Sequence, residues 1–312
     1  MASAVKAWTF THEGYPHAIH KSALPAPFRP SATELHVRVK AAALNPVDIQ
    51  LMNLPIWKYL PKFFAPLEKG IAEDFSGIVE SAGKDSGYEV GDEVFGITFT
   101  LTGGTLQNVA IVNTKSSIVV KKPQDMSWEQ AAALPLVWLT ARTAISNVEL
   151  FIQSNSRLAV LGGSSGVGMY VLQLAAQRGW EVLSTCSSRN AEFVKSMGAT
   201  RVVDYNTSDV TQAVGEFEPS AIIDCVGGTS CIGLANRYVT IMVVRTLLGK
   251  IGVGKSYACV NLKFQKEWLE ETLSLDREKI IIDSTWEFDQ AKEAFAKLNT
   301  GRATGKVIVR VG

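Results

Sequence analysis

The 312-residue chain carries 31 Lys plus Arg against 30 Asp plus Glu, a net charge of +1, with 46% hydrophobic and 20% charged residues. Such a composition describes an ordinary globular protein of about two domains and excludes disordered and fibrous classes. The balanced charge supplies no basic field for a phosphate backbone, so nucleic acid is excluded as an expected partner. Four cysteines, none in a CxxC pair, argue for reduced thiols and against a disulfide framework. The opening MASAVKAWTFTHEGYPH has neither an apolar core stretch nor an Arg-rich amphipathic face, so no signal or transit peptide is expected and the cytoplasm is the expected location. Two uncharged windows, residues 94–114 and 158–177, are each broken by polar or glycine residues, and neither is expected to span a membrane.

Up to about residue 125 the chain favours strands. Residues 34–40 (ELHVRVK) alternate polar and apolar, as does much of 104–112, which is the period of half-buried strands. Residues 77–80 and 91–96 add short strands punctuated by glycine, giving an antiparallel β unit. Residues 53–64 (NLPIWKYLPKFF) are aromatic and proline-broken without clean periodicity. They read either as a loop packing on its own core or as a wall over a substrate cleft.

Beyond residue 125 the rhythm changes. Ser127 followed by Gln130 and an alanine run has the form of a capping box. Short apolar runs at 157–161, 181–186, 201–203, 221–224 and 238–241 then alternate with helix-length segments near 166–178 and 190–197, which predicts a doubly wound parallel sheet. An amphipathic helix is predicted at 288–298 and a strand at 306–310, which could return to the first domain. No internal repeat or low-complexity tract is present.

The strongest local signal is residues 158–168 (LAVLGGSSGVG), an apolar strand running through a glycine-rich turn into a helix. Backbone N–H groups and the positive end of the helix dipole converge at such a turn, where a phosphate binds. Gly162, Gly163, Ser164, Ser165, Gly166, Val167 and Gly168 are therefore the candidate dinucleotide cradle, although Ser165 stands where a strict GxGxxG places its middle glycine. The next strand ends in Cys186-Ser187-Ser188-Arg189-Asn190, without the acid that holds a ribose 2′-hydroxyl. Ser187 and Arg189 suit a 2′-phosphate instead, which points to NADPH. Cys225 follows the 221–224 strand and is expected to be a small wall residue near the cofactor, since no base or cation beside it is evident that would activate a thiolate.

Seven motifs surround this turn in order: AALNPVD at 42–48, EDFSGIVE at 73–80, VGDEVFG at 90–96, GGTLQNV at 103–109, AAALP at 131–135 with Thr140-Ala141, Gly198-Ala199 with Asp204-Tyr205, and GKVI at 305–308. Together they resemble the medium-chain dehydrogenase/reductase superfamily, and within it the zinc-free quinone oxidoreductase-like branch. The resemblance implies a Rossmann cofactor domain at residues 126–264 and a β-rich GroES-like substrate domain at 1–125 plus 265–312, with nicotinamide and acceptor between them. It also implies that Thr140 touches the nicotinamide end and that Tyr205 lies near the 2′-phosphate beside Arg189. Zinc-dependent relatives place a Cys where this chain has Asn45 and a His where it has Glu73, so no metal site is expected. The four histidines, His12, His17, His20 and His36, lie outside these positions.

Without a Lewis acid, the acceptor must already be electrophilic: a quinone or an α,β-unsaturated carbonyl. Asn45 is the candidate for orienting the acceptor oxygen or the nicotinamide, Tyr59 is a second candidate donor, and Asp48 is expected to brace its loop. An enoyl reductase of a biosynthetic pathway is the alternative enzyme, and a non-catalytic cofactor-binding interaction protein is the alternative of another class. A homodimer would join at the predicted edge strand 256–260. The sequence passes from 238–241 directly into MVVRTLLG at 242–249, where the family has a glycine turn and a sizeable loop. Either the loop is shortened here or a stretch is missing from the sequence; an intact mass well above 33.8 kDa would show the second.

Overall fold

A computed structural model describes residues 4–11, 14–54, 56–59, 68–99, 103–152, 157–241 and 257–312. The chain divides into two compact units: Met1–Leu136 with Phe264–Gly312, and Val137–Lys263.

The first unit begins with strands β1 (Val5–Phe10), β2 (His20–Leu24) and β3 (Glu34–Leu44). Helix α1 (Pro46–Met52) follows at once. Its first residue is proline, whose fixed φ suits a helix start, and the Asp48 carboxylate accepts a hydrogen bond from the Asn45 N–H at 2.6 Å. The short helix α2 (Ile56–Tyr59) lies within the segment read as a loop or a wall; residues 55 and 60–67 lie outside the described residues. Then come β4 (Lys69–Gly70), β5 (Asp74–Ala82), β6 (Glu93–Ile97), β7 (Val109–Asn113) and β8 (Ile118–Lys121).

Helix α3 (Trp128–Ala133) starts on the expected capping box. The Gln130 N–H donates to Ser127 Oγ and the Ser127 N–H to Gln130 Oε1, both at 3.1 Å. Residues 126–136 were expected in the cofactor domain, yet they belong to the first unit. Ser76 Oγ on β5 donates to the Trp128 carbonyl at 2.7 Å, and the Leu136 N–H donates to Asp74 Oδ1 at 2.8 Å. These bonds tie residues 128–136 to the β sheet, and a capping box, being local, carries no information about which sheet a helix packs on.

The second unit opens with α4 (Pro135–Val148), most of which lies in it, and continues through β9 (Arg157–Leu161), α5 (Gly168–Gln177), β10 (Glu181–Cys186), α6 (Ala191–Ser196), β11 (Arg201–Asp204), α7 (Val210–Phe217), β12 (Ala221–Asp224), β13 (Arg237–Thr240) and β14 (Tyr257–Cys259). Among the described residues these strands form one sheet in the order β11-β10-β9-β12-β13-β14, every neighbouring pair parallel. Numbered within the unit, that is 3-2-1-4-5-6, the doubly wound order of a dinucleotide-binding domain. Residues 168–175 of α5 are buried at every position, as a helix packed into a core requires. Residues 242–256, which contain the expected break in the resemblance, lie outside the described residues.

The chain then returns to the first unit through α8 (Lys266–Glu270), β15 (Ile282–Glu287), α9 (Ala291–Asn299) and β16 (Lys306–Arg310). β16 pairs antiparallel with β3, from Val307↔Leu44 to Arg310↔Ala41, and parallel with β15. The large sheet of this unit runs β15-β16-β3-β5-β6-β8, with β7 also on β3, beside a smaller sheet β2-β1-β4. Trp8, Phe10, Leu44, Phe75 and Phe295 are among the core side chains they bury. Each such side chain contributes about 1.5–3 kcal/mol through apolar burial. Among the described residues no helix is long and apolar enough to cross a membrane.

Candidate functional site

Chemistry-bearing residues gather in two places, one in each unit. In the second unit, the order of the sheet reverses between β9 and β12, and the carboxyl ends of those strands are Leu161 and Asp224. A doubly wound sheet presents its ligand crevice at such a switch point. Gly162 follows β9 with φ +84°, and a side chain there would collide with Val226, which follows β12. The turn is pinned on its other side by β10: the Gly162 N–H donates to Thr185 Oγ1 at 2.9 Å and the Gly163 N–H to the Thr185 carbonyl at 3.0 Å.

Ser165 does a specific job in this turn. Its hydroxyl donates to the Gly162 carbonyl at 2.8 Å and accepts from the Gly168 N–H at 3.0 Å, closing the loop on itself. A Cβ at Gly168 would run into the same Gly162 carbonyl. Ser164, Gly166 and Val167 are half-buried at the entrance to α5, and no described residue accepts a hydrogen bond from their amides. A cradle too tight for side chains, lined by free amides at a helix start, fits the diphosphate of a dinucleotide. When bound, a reduced nicotinamide supplies a hydride.

Cys225 lies beside this turn. It is buried, its N–H donates to the Leu161 carbonyl at 2.9 Å, and burial followed by the Asp224 charge holds its thiol well above the ordinary range. A thiol so placed is a wall and not a nucleophile. At the end of β10, Ser187 is half-buried and Arg189 exposed, and the Tyr205 N–H donates to the Cys186 carbonyl at 3.2 Å. The structure thus brings Ser187, Arg189 and Tyr205 to one rim. Asp204 shares that rim, but its carboxylate is spent internally, accepting from the Ser188 N–H at 3.1 Å and from the Asn206 N–H at 2.9 Å. Those amide donors, Asn206 first, lower its pKa. Thr140 is half-buried on α4.

In the first unit, five polar side chains meet where β3, α1, β5 and β16 converge: Asn45, Asp48, Glu73, Asp74 and Lys306, each no more than 6% exposed. The Lys306 ammonium donates to Asn45 Oδ1 and, at 3.2 Å, to Asp74 Oδ2. Asn45 Nδ2 donates to the same Asp74 oxygen at 3.0 Å. Both ends of the Asn45 amide are therefore taken by protein partners, which leaves it a holder of Lys306 and Asp74. Asp74 has charge-assisted partners on both oxygens, although burial still raises its pKa. An ammonium already sits against Asn45, and among the described residues no Cys or His joins this cluster, so its donor set does not fit a catalytic zinc.

Asp48 and Glu73 are different. Their carboxyls are buried close to one another, and Asp48 Oδ1 and Glu73 Oε2 are enclosed with no hydrogen-bond partner among the described residues. Two buried carboxylates cannot both ionise at such a distance. Burial, only partly offset by the Glu73 and Asn45 contacts, pushes Asp48 up to about 6. Burial and then the Asp48 charge carry Glu73 well above its usual range. The pair lines a cavity of about 160 Å³ whose other walls include Phe10, Leu51, Met52, Trp57 and Ile71. Tyr59, the second candidate donor, is 82% exposed and does not line this cavity; Trp57 on the same helix does. Sequence reasoning missed the pairing because Glu73 was read only as a departure from a zinc ligand.

The pair has a cost with a definite sign. The unfolded chain releases these protons near pH 4, whereas the folded chain holds one to pH 6 or above, so stability falls as pH rises through that window. At about 1.4 kcal/mol per unit, the loss is on the order of 2–3 kcal/mol. Glu73→Gln is accordingly expected to be more stable than the wild type by at least about 1 kcal/mol at pH 8, with the gap closing toward pH 4. Urea unfolding at both pH values checks this, and an equal or less stable variant at pH 8 would contradict it.

The geometry agrees with the relatives. Residues 31–124 match the alcohol dehydrogenase GroES-like domain and residues 197–309 the zinc-binding dehydrogenase domain. A chloroplast envelope quinone oxidoreductase homolog of Arabidopsis thaliana is 32% identical over 308 residues, 92% of each chain. A 2-methylene-furan-3-one reductase of Solanum lycopersicum is 30% identical, covering 98% of this chain and 79% of its own. The structure of the quinone oxidoreductase from Coxiella burnetii superposes with a TM-score of 0.88 at 29% identity over 99% of both chains. With the doubly wound sheet, the glycine turn at its switch point and the β-rich unit, these likenesses make the chain an oxidoreductase of the medium-chain dehydrogenase/reductase superfamily, in its quinone oxidoreductase-like branch.

Proposed function

We propose that the protein is an NADPH-dependent, zinc-independent reductase that passes a hydride to a quinone or an α,β-unsaturated carbonyl. The observation that carries this reading is the closed Gly162–Gly168 turn at the switch point of the parallel sheet, with Ser187 and Arg189 and no acid in the stretch directly after the second strand. The turn amides hold the diphosphate, Arg189 and Tyr205 hold the 2′-phosphate with Ser187, Thr140 supports the nicotinamide end, and Cys225 shapes the wall. Asn45 acts as a positioning residue through Lys306 and Asp74. Free cysteines at all four positions suit a reducing compartment such as the cytoplasm. The outer side of β14, at the edge of the described sheet, is the place assigned to a second copy in a homodimer.

NADPH oxidation with benzoquinones, naphthoquinones and aliphatic enones side by side tests the reading. Enone turnover without quinone turnover would favour an enoyl reductase, and NADPH binding without turnover of any acceptor would favour a non-catalytic protein. Arg189→Ala is expected to lower kcat/KM for NADPH by roughly tenfold to a hundredfold and to change that for NADH by less than about threefold, since only the phosphate contact is lost. Equal use of both cofactors by the wild type would remove the NADPH assignment.

A further inference from the structure

The rim at the ends of β10 and β11 contains an acid for which the NADPH reading has no use. Cys186 and Asp204 are partners in register, the last pair of these two strands, and beyond them both chains leave the sheet. One enters the turn Ser188–Asn190, which carries Arg189; the other enters residues 205–208, which begin with Tyr205. In a doubly wound sheet an acid at the end of the second strand holds the ribose 2′-hydroxyl and favours NADH. Asp204 stands one strand further on, at the end of the third, and its oxygens are engaged elsewhere.

Its Oδ2 accepts from the Ser188 N–H at 3.1 Å, and its Oδ1 accepts from the Asn206 N–H and from Asn206 Nδ2, each at 2.9 Å. Its carbonyl accepts from the Ser208 N–H at 3.0 Å, and the Tyr205 N–H crosses back to the Cys186 carbonyl at 3.2 Å. The two carboxylate oxygens thus hold the residue immediately before Arg189 and the residue immediately after Tyr205. A carboxylate offers acceptor sites on both atoms, whereas an amide in its place would present one oxygen and an NH2 that cannot accept. Arg189 is exposed and Tyr205 is 56% exposed, so packing does little to aim either side chain, and the loop bonds supply what packing does not. The same bonds bear on charge. A bare carboxylate beside a phosphate would repel it, but one that accepts three N–H donors has its charge partly met by their dipoles.

We propose that Asp204 is a positioning residue for cofactor choice: by tying the two loops together it makes Arg189 and Tyr205 converge on the 2′-phosphate of NADPH. The inference rests on the NADPH reading and deepens it, naming an acid that acts through its neighbours and does not itself touch the cofactor. A group already held where the phosphate arrives gives up less freedom on binding than one that must be caught there. Preference for NADPH therefore grows without an added contact.

The test uses the full chain and reads the Kd for NADH divided by the Kd for NADPH, both from cofactor fluorescence titrations. Asp204→Ala is expected to lower this ratio at least about fivefold, through weaker NADPH binding, because misplacing a contact group costs affinity as removing it does. Charge alone predicts the opposite sign, since taking a negative charge from beside a phosphate favours the phosphate. Asp204→Asn removes the charge as completely but keeps one acceptor oxygen. Its ratio is expected between those of the wild type and Asp204→Ala, and it serves if Asp204→Ala does not fold. In an Arg189→Ala/Tyr205→Ala background, adding Asp204→Ala is expected to change the ratio by less than about twofold, because both groups it positions are gone. A fall of the full size in that background would mean that Asp204 does not act through them and would overturn the proposal. So would a ratio in folded Asp204→Ala that equals or exceeds that of the wild type; if NADH binding weakened as NADPH binding improved, Asp204 would be the acid that holds the 2′-hydroxyl. A wild type that prefers NADPH and loses the preference in Arg189→Ala but keeps it in Asp204→Ala overturns this inference alone. A wild type without any preference overturns the NADPH reading, and this inference with it.

Discussion

Gly168→Val is expected to raise the Kd for NADPH at least about a hundredfold, measured by cofactor fluorescence titration. The reason is steric and local. A Cβ at this position meets the Gly162 carbonyl, and both the Gly163 Cα and Ser165 Oγ at 2.9 Å, so there is no direction in which it can yield. The turn can admit valine only by moving α5 away from β9, which breaks the Ser165 bridge and scatters the amides that cradle a phosphate. Overpacking of this kind costs about 1–3 kcal/mol of stability, so the variant should remain folded and its far-UV circular dichroism native. Preserved binding in a folded Gly168→Val protein would show that the diphosphate lies elsewhere.

Lys306→Met is expected to lower the unfolding free energy by about 3–5 kcal/mol at pH 7, measured by urea unfolding. Methionine keeps most of the side-chain volume, and the loss is electrostatic. Lys306 and Asp74 are 3% and 0% exposed at the side chain, so without the ammonium a carboxylate is left in a low dielectric with only the Asn45 amide and the Leu136 N–H to stabilise it. Against an ordinary stability of about 5–15 kcal/mol, such a loss threatens the fold. The deficit should shrink in acid as Asp74 takes up a proton, and the double variant Asp74→Asn/Lys306→Met should recover part of it at neutral pH. A single variant as stable as the wild type would mean that Asp74 is already protonated in the native protein.

Where the signal was local, the sequence was enough. The run 158–168 contains its strand, its turn and its helix start within one short stretch, and the structure builds them there; the Ser127–Gln130 capping box is legible for the same reason. The strand at 306–310 was legible as a strand, but its neighbour was not, because pairing with β3 joins residues more than 260 positions apart. A gap of only 25 residues was enough to hide the carboxyl pair. Asp48 was expected to brace its loop, and its bond from the Asn45 N–H does so, yet nothing near it in sequence says that the Glu73 carboxyl is buried beside it. Asn45 read as a free amide near an acceptor because its partners, Asp74 and Lys306, arrive from β5 and β16. Residues 126–136 joined the first unit through bonds to Asp74 and Ser76 that helix periodicity cannot encode.

The return of β16 to β3 also sets a schedule for synthesis. Lys306 follows Asp74 by 232 residues. At ~5–20 residues per second, translation delivers the ammonium on the order of 10–50 s after the carboxylate leaves the ribosome. Throughout that interval the 41–44 part of one β3 edge is open, β7 covering only 34–38, and Asp74 has no cation to accompany it into the interior, while every strand of the second unit has time to emerge and pair. The nascent first unit must therefore wait, half assembled and hydrated at its centre, until the final strand closes it.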